Sequence, residues 1–417
     1  MNFLYILLAL VVLLVLITVH EFGHFIAGKI LGFKINEFAI GFGPAIFKRK
    51  NKKTGELFSI RMLPLGGFCA FEGEDEENPS PDAFNNKPAW KRLIVLVSGV
   101  LFNFIFGIIT ASIFLMINGY GLPCVADFSP NNVNNGLLQK GDVITKINGK
   151  SIEIYRSMSD ITKKIENGKE FTVTVDRNGE IIELEGVKKV KTEAFYFVAD
   201  SSKLENAIYD QGGVNPWSVE EFKRYIKTII PGFNEDTQKY EEFSHYGMFY
   251  KADGTVYSDS ELKELAAITL STPTESMGFT YYSVQARYGF FESLLKAWPF
   301  CFYICGLILS ALGGIFTGAT AVSELGGTVT AISQIAEISK IGFTSFLLLL
   351  PMLSMNLAVF NILPIPALDG ARCVFVLIEL IFRKPVPRKI ENIIHSVGLF
   401  VLLGLVIFLD VYHFFIA

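Results

Sequence analysis

The chain opens with an apolar run, residues 3–19, that is long enough to dictate the environment in which the protein folds. A bilayer crossing needs about 20 apolar residues in a helix, which satisfies its own backbone polar groups. We therefore predict a first membrane helix over residues 2–30. Apolar runs at residues 93–117, 343–363 and about 393–409 predict three more crossings. With 51% hydrophobic residues, the chain is expected to be a polytopic α-helical membrane protein with four transmembrane helices.

The first helix ends in the motif His20-Glu21-Phe22-Gly23-His24. His20 and His24 are one helical turn apart on the same face, so both imidazoles can bind one zinc ion. Glu21 then lies beside the open metal position, where it can accept a proton from zinc-bound water. Ionisable side chains are costly in hydrocarbon and usually mark a functional site. The alternative is a buried histidine pair that hydrogen-bonds backbone or water.

Two histidines leave a catalytic zinc one protein ligand short, and the sequence offers several candidates for the third. Asp369 follows an apolar run that is expected to end on the same side of the membrane as the histidine motif. A carboxylate there without a cation would be costly, and zinc would explain its presence. His395 starts the last predicted helix on the same side and is a competitor. His245 and His413 are expected on the opposite side.

Two basic clusters predict the orientation in the membrane. Lys and Arg are concentrated in residues 29–92 and again in residues 383–389. By the positive-inside rule both segments are cytoplasmic, which places both termini outside and the histidine motif toward the cytoplasm. A further crossing by the apolar residues 296–316 would separate Asp369 from the histidines by about 30 Å. Residues 296–316 are therefore expected to lie along the outer interface or to pack on the outer ends of the helices, within an interfacial helical segment over 293–342.

A membrane-associated β-hairpin is predicted at residues 57–71, where two short strands alternate around Pro64-Leu65-Gly66-Gly67. Non-helical backbone at membrane depth is tolerated where it lines a cavity or packs on protein. A hairpin that dips toward the zinc could also offer an edge strand to a peptide. An ordinary surface hairpin is the alternative.

The middle of the chain is polar and is predicted to be extracytoplasmic. Residues 119–187 contain short strands, a helix-like stretch and turns at Asn148-Gly149 and Asn178-Gly179, in the order of a PDZ-like α+β domain. Residues 188–292 show no assignable fold. The remaining parts are an N-terminal membrane part over 1–118 and a C-terminal membrane part over 343–417.

Three motifs together carry a family resemblance: the histidine motif, the Pro64–Gly67 turn and the segment Asn361-Ile362-Leu363-Pro364-Ile365-Pro366-Ala367-Leu368-Asp369-Gly370. With the PDZ-like stretch they resemble the site-2 protease family, bacterial intramembrane zinc metalloproteases of the RseP/RasP type. The resemblance covers about residues 1–187 and 290–417. There are two departures: Ser98-Gly99-Val100 lacks the proline that usually precedes Asn103, and Ala371 replaces a second glycine.

The resemblance implies roles for individual residues. Zn²⁺ would be bound by His20, His24 and Asp369, with Glu21 as the general base. A substrate site beside the metal would be formed by Asn361, Pro364, Pro366, Gly66 and Gly67.

The expected function is zinc-dependent cleavage within transmembrane segments of membrane proteins, following a first trimming cut. Expected partners are transmembrane substrates such as membrane-bound anti-sigma factors or signal-peptide remnants, and the lipid bilayer. The net charge of −4 gives no sign of nucleic-acid binding. Two alternatives remain: an inactive membrane scaffold that carries the PDZ-like domain, and a transporter, although the internal repeats of many transporters are not evident.

Overall fold

The structure is a computed structural model, and the chain forms two compact units. The helical unit comprises Met1–Gly119 and Arg287–Ala417, and the β unit comprises Tyr120–Ala286. The structure describes residues 3–74, 78–128, 134, 136–166, 168–192, 195–199, 208–210, 228–230, 233–234, 239–240, 248–250, 266–270, 274–318 and 327–415.

The helices of the described residues follow the apolar runs of the sequence. They are α1 (Phe3–Ile30), α2 (Ala89–Asn118), α3 (Met158–Thr162), α4 (Phe290–Thr317), α5 (Thr328–Ile341), α6 (Phe343–Ile362), α7 (Asp369–Phe382) and α8 (Arg388–Phe415). Of the described helices only the short α3 belongs to the β unit, and a 3₁₀ turn at Phe84–Asn86 precedes α2.

Five of the described helices are long and apolar enough to cross a membrane: α1, α2, α4, α6 and α8. This is one candidate more than the four crossings predicted, and the additional one is α4, which was expected along the outer interface. Trp298 and Phe302 of α4 contact Phe104 in the middle of α2, and Cys305 reaches Met355 of α6. The first half of α4 therefore packs against the middle of α2 and α6, whereas the prediction was for the outer interface or the outer ends of the helices.

Residues 57–71 form β structure, but their two halves do not pair with each other as a hairpin. Strand β1 (Ile35–Lys50) pairs with β2 (Leu57–Phe71) in a two-stranded antiparallel sheet. Ile40 lies opposite Gly67 and also opposite Ile60, so the two halves of β2 flank the first part of β1 on opposite sides. The prediction of a hairpin confined to residues 57–71 is wrong, because β1 was missed. Gly41, Gly43 and Pro44 lie where the register of this sheet shifts.

The β unit contains a six-stranded sheet with the spatial order β17-β3-β4-β6-β7, and β5 pairs with β4. Its strands are β3 (Tyr120–Phe128), β4 (Val143–Ile147), β5 (Lys150–Ser151), β6 (Glu170–Arg177), β7 (Glu180–Lys188) and β17 (Phe279–Ala286). β17 pairs with β3 along its whole length. A strand from the segment to which no fold could be assigned from the sequence therefore completes the sheet.

Between β7 and β17 the structure describes nine short strands, which form three two-stranded antiparallel sheets and one three-stranded antiparallel sheet. They are β8 (Val190–Thr192), β9 (Phe195–Ala199), β10 (Ile208–Asp210), β11 (Thr228–Ile230), β12 (Phe233–Asn234), β13 (Lys239–Tyr240), β14 (Met248–Tyr250), β15 (Ala266–Leu270) and β16 (Thr274–Ser276).

Candidate metal centre

Helices α1 and α2 approach each other closely at the two histidines of α1. A side-chain carbon added at Gly23 would lie 2.4 Å from the carbonyl oxygen of Ser98, and one added at Gly99 would lie 2.4 Å from His24 Nε2. Small residues let membrane helices come this near. His20 and His24 are 5% and 6% exposed as a result, so their imidazoles are held within the protein.

Asp369, the first residue of α7, completes a cluster with the two imidazoles. Its Oδ2 lies 2.9 Å from His20 Nε2 and 3.1 Å from His24 Nε2, and the two Nε2 atoms are 3.2 Å apart. Among the described residues these three side chains form the group that could hold a metal ion. Two imidazoles and one carboxylate are a protein ligand set found in catalytic zinc sites, where water occupies the fourth position.

The hydrogen bonds behind the imidazoles fit a metal on the Nε2 atoms. His24 Nδ1 lies 2.8 Å from the carbonyl oxygen of Val95, to which it can only donate, and this leaves the Nε2 lone pair available. His20 Nδ1 lies 3.3 Å from Asn103 Nδ2, and the buried Asn103 Oδ1 has no hydrogen-bond partner among the described residues. Rotating this amide by 180° would let Oδ1 accept the His20 Nδ1 proton, which leaves the second Nε2 available as well.

His395, the alternative candidate for the third ligand, is not part of this cluster. Its Nδ1 accepts a hydrogen bond of 3.1 Å from the backbone N–H of Ala367. Ala367 has a φ of +75° in the loop just before Asp369. His395 thus supports the loop that carries Asp369. His245 and the side chain of His413 lie outside the described residues.

Glu21 lines a small cavity of about 80 Å³ beside the cluster. The other residues that line it are His24, Cys69, Phe71, Glu74, Phe84, Val95, Leu96 and Asp369. A side-chain carbon added at Gly67 would lie 3.8 Å from Glu21 Cγ, so the second half of β2 runs past the glutamate. The cavity places Glu21 beside His24 and Asp369 and is large enough for water.

None of the predicted substrate-binding residues Gly66, Gly67, Asn361, Pro364 and Pro366 lines this cavity among the described residues, although Gly67 lies next to Glu21. Gly66 has a φ of +116°, and an added side-chain carbon would lie 2.4 Å from the ring of Phe42. Asn361 is half-buried in the last turn of α6, Pro364 is exposed, and Pro366 is half-buried. Pro364 and Pro366 lie in the loop that leads to Asp369.

The sequence analysis missed three residues that shape the centre: Val95 through its carbonyl, Gly99 through its lack of a side chain, and Cys69 through the cavity wall. A carbonyl leaves no sequence signal. The adjacent small residues Ser98 and Gly99 could have indicated a close helix contact.

Comparison with known proteins agrees with this geometry. The model of Peptidase family M50 matches residues 8–405. A Fusobacterium nucleatum protein with a provisional zinc metalloprotease name is 30% identical, with 97% of each chain covered. A similarly named Helicobacter pylori protein is 29% identical over 94% of this chain and 93% of its own. The regulator of sigma E protease of Haemophilus influenzae is 28% identical over 96% of each chain. The chain therefore belongs to the M50 (site-2 protease) family and is a multi-pass intramembrane zinc metalloprotease.

Proposed function

We propose that the protein hydrolyses peptide bonds within transmembrane segments of other membrane proteins, after a first cut has trimmed them. The observation that carries this proposal is the buried His20–His24–Asp369 cluster with Glu21 in the adjoining cavity. The cluster lies in the unit that contains all five candidate membrane helices. The family assignment and the complete ligand set favour this enzyme over an inactive scaffold or a transporter.

The proposed reaction gives the metal ligands and Glu21 different roles. His20, His24 and Asp369 would hold Zn²⁺, which when bound polarises a peptide carbonyl and makes hydroxide available at neutral pH. Glu21 is not part of the ligand cluster, so its carboxylate can accept the water proton and pass it to the leaving amine. The hydrogen bond from His24 Nδ1 to Val95 holds that imidazole in the orientation that the ligand role needs.

The edge of β2 is suited to hold an extended substrate. A transmembrane helix hides its carbonyls in internal hydrogen bonds, so it must unwind before cleavage. Gly67 and Cys69 of β2 lie opposite Ile40 and Phe38 of β1, and the described sheet has no strand on their other side. A substrate strand added there would pass Glu21. Gly66, Gly67, Asn361, Pro364 and Pro366 would shape its path.

We place the basic segments 29–92 and 383–389 in the cytoplasm, with four crossings and with both termini and the β unit outside. The site then opens toward the cytoplasmic side of the cell membrane. Single cysteines at positions 292 and 330 should react with an impermeant reagent from the same side. Labelling from opposite sides would contradict four crossings.

The β unit is proposed to be a PDZ-like domain that selects substrates. The sheet of β3, β4, β6 and β7 with α3 supports this assignment. Selection by exclusion of bulky ectodomains needs no tight binding, whereas capture of a new C-terminus would use strand addition. We favour exclusion. Membrane-bound anti-sigma factors and signal-peptide remnants are the proposed substrates, because one relative is named a regulator of sigma E protease.

The assignment of roles is tested with the full-length protein in liposomes and a transmembrane model substrate. Glu21→Gln should lower the cleavage rate by about 10²- to 10⁴-fold while zinc stays bound, because Glu21 acts on protons and is not a ligand. Asp369→Ala should lose both zinc and activity. His395→Ala removes a contact of the loop that carries Asp369 but no proposed ligand, so it should retain more zinc than Asp369→Ala. Full zinc occupancy in Asp369→Ala together with zinc loss in His395→Ala would show that the third ligand is wrong.

A further inference from the structure

The position of the third zinc ligand depends on how α7 is held. Asp369 is the first residue of α7 and follows the non-helical loop 363–368, so no preceding helical turn fixes it. Gly370 shows how tightly the chain turns here, since an added side-chain carbon would lie 2.1 Å from the carbonyl oxygen of Leu363. The contacts of the first turn of α7 therefore set the distance from Asp369 to the histidines.

The first turn of α7 contains one basic side chain, that of Arg372. Arg372 lies three residues after Asp369, on the same side of the helix. Its Nη1 forms an ion pair with Oε1 of Glu74, and the two side chains are 29% and 17% exposed. Such a partly buried pair is screened by salt less than an exposed one.

Glu74 is itself anchored to the segment that follows β2. Its Oε2 accepts a hydrogen bond of 3.4 Å from the backbone N–H of Phe71, and its backbone oxygen accepts one of 2.7 Å from Asn85 Nδ2. Phe71 ends the strand that runs past Glu21. The Glu74–Arg372 pair thus links the strand beside the general base to the helix that carries the third ligand.

The pair also lies at the boundary between two cavities. Glu74, Phe84 and Leu96 line both the small cavity beside Glu21 and a larger one of about 600 Å³. Arg372 lines only the larger one. The first turn of α7 therefore has open space on one side, and without the ion pair that space would allow it to move.

A second ion pair holds the other half of α7. Arg92 Nη2 of α2 lies 2.5 Å from Glu379 Oε1. Glu379 is seven residues after Arg372 and faces the same large cavity. It lies ten residues after Asp369, about 15 Å along the helix axis. This pair resembles the first in chemistry and burial but is remote from the ligand, so it provides a matched control.

We propose that Glu74 and Arg372 are positioning residues for the metal centre: their ion pair holds the first turn of α7 so that Asp369 stays within ligand distance of His20 and His24. This inference rests on the zinc site proposed above. Loss of either partner frees the turn and weakens zinc binding, although neither residue touches the metal.

The test uses the full-length protein in detergent and measures its zinc dissociation constant by competition with a chromophoric chelator. Thermal unfolding of the metal-free protein is measured in parallel. Glu74→Gln should raise the zinc dissociation constant about tenfold or more, as loss of residues behind metal ligands does. Glu379→Gln should lower the unfolding temperature to a similar extent but change the zinc dissociation constant little. The swapped pair Glu74→Arg with Arg372→Glu should restore most of the zinc affinity.

Equal weakening of zinc binding in Glu74→Gln and Glu379→Gln would overturn the proposal, because the effect would then be general destabilisation. An unchanged dissociation constant in Glu74→Gln would overturn it as well. If Glu74→Gln does not fold, Arg372→Met provides the same comparison. A wild-type protein without zinc would instead refute the metal site itself, so the two failures are distinguishable.

Discussion

The two units of the molecule are stabilised by different kinds of buried groups. In the β unit the core is apolar, and Ile144, Ile147, Val173 and Val175 are completely buried. In the helical unit apolar side chains such as Leu16 and Met355 are buried as well, but polar groups are also buried between its helices. Ser354 of α6, for example, donates a 2.7 Å hydrogen bond to the carbonyl oxygen of Asn103 of α2. Burial of apolar surface from water drives the first kind of assembly, but lipid offers no such gain when two apolar helices meet.

This difference shows which substitutions each unit should tolerate. Helices in lipid depend on close approach at small residues and on polar contacts between helices. A soluble sheet depends on complete apolar packing and on paired buried charges. Substitutions that add one carbon should therefore act strongly where α1 and α2 meet, whereas loss of the completely buried carboxylate of Asp142 should act strongly on the stability of the β unit.

The largest effect is expected from Gly99→Ala. The added carbon would lie 2.4 Å from His24 Nε2 and 2.7 Å from His20 Cε1, so both imidazoles must move. We expect zinc affinity to fall by about 100-fold, at the upper end for changes beside metal ligands, and cleavage to fall with it. Metal analysis of purified protein measures this loss. Gly404→Ala in α8 is the control, because nothing lies within 4 Å of its added carbon. Normal zinc content in Gly99→Ala would contradict the close-approach argument.

An intermediate effect is expected from Asp142→Ala in the β unit. The carboxylate is completely buried and accepts hydrogen bonds from Arg177 Nε at 2.7 Å, Arg177 Nη2 at 2.8 Å and the Gln139 backbone at 2.8 Å. Its loss should destabilise the unit by about 3 kcal/mol, at the lower end for broken buried pairs because Arg177 is partly exposed.

Hydrogen exchange of the β4 and β6 amides measures this destabilisation, and the exposed Glu183→Ala on β7 is the control. Zinc content should not change. If the β unit selects by exclusion, the loosened unit should also admit substrates with intact ectodomains. Faster exchange with unchanged rejection of those substrates would count against exclusion.

The smallest effect is expected from Ser157→Ala at the start of α3. Ser157 caps the helix by accepting from the Asp160 N–H, and Asp160 accepts in return from the Ser157 hydroxyl and backbone. These hydrogen bonds hold the pKa of Asp160 below its usual value. Loss of the cap should cost about 1 kcal/mol at neutral pH.

The pH dependence of that cost has a definite sign. A depressed carboxyl pKa stabilises the folded state above the ordinary pKa of about 4, and the contribution is lost as the pH falls through the lower folded value. The difference in exchange rates between Ser157→Ala and wild type should therefore shrink in acid. Ser159→Ala, two residues later and exposed, is the control. A difference that is constant with pH would exclude the Asp160 contribution.

The sequence alone determined the features that depend on near neighbours. Helix geometry places residues four apart on one face, so His20 and His24 were predicted as a pair, and apolar runs predicted α1, α2, α6 and α8. Asp369 was predicted from the depth at which its apolar run ends, and it lies 2.9 Å from His20. Turn residues and alternation predicted β6 and the turn into β7.

Only the tertiary structure decided the features that depend on residues far apart in the chain. The first part of β1 lies between the two halves of β2, and β17 joins a sheet that began about 150 residues earlier; neither pairing follows from local patterns. The Val95 carbonyl behind His24 and the missing side chain of Gly99 matter only because α2 packs against α1. Periodicity and hydropathy describe residues that are close together in the sequence. Strand pairing and helix contacts depend instead on shape and hydrogen bonding between segments that are far apart in the sequence.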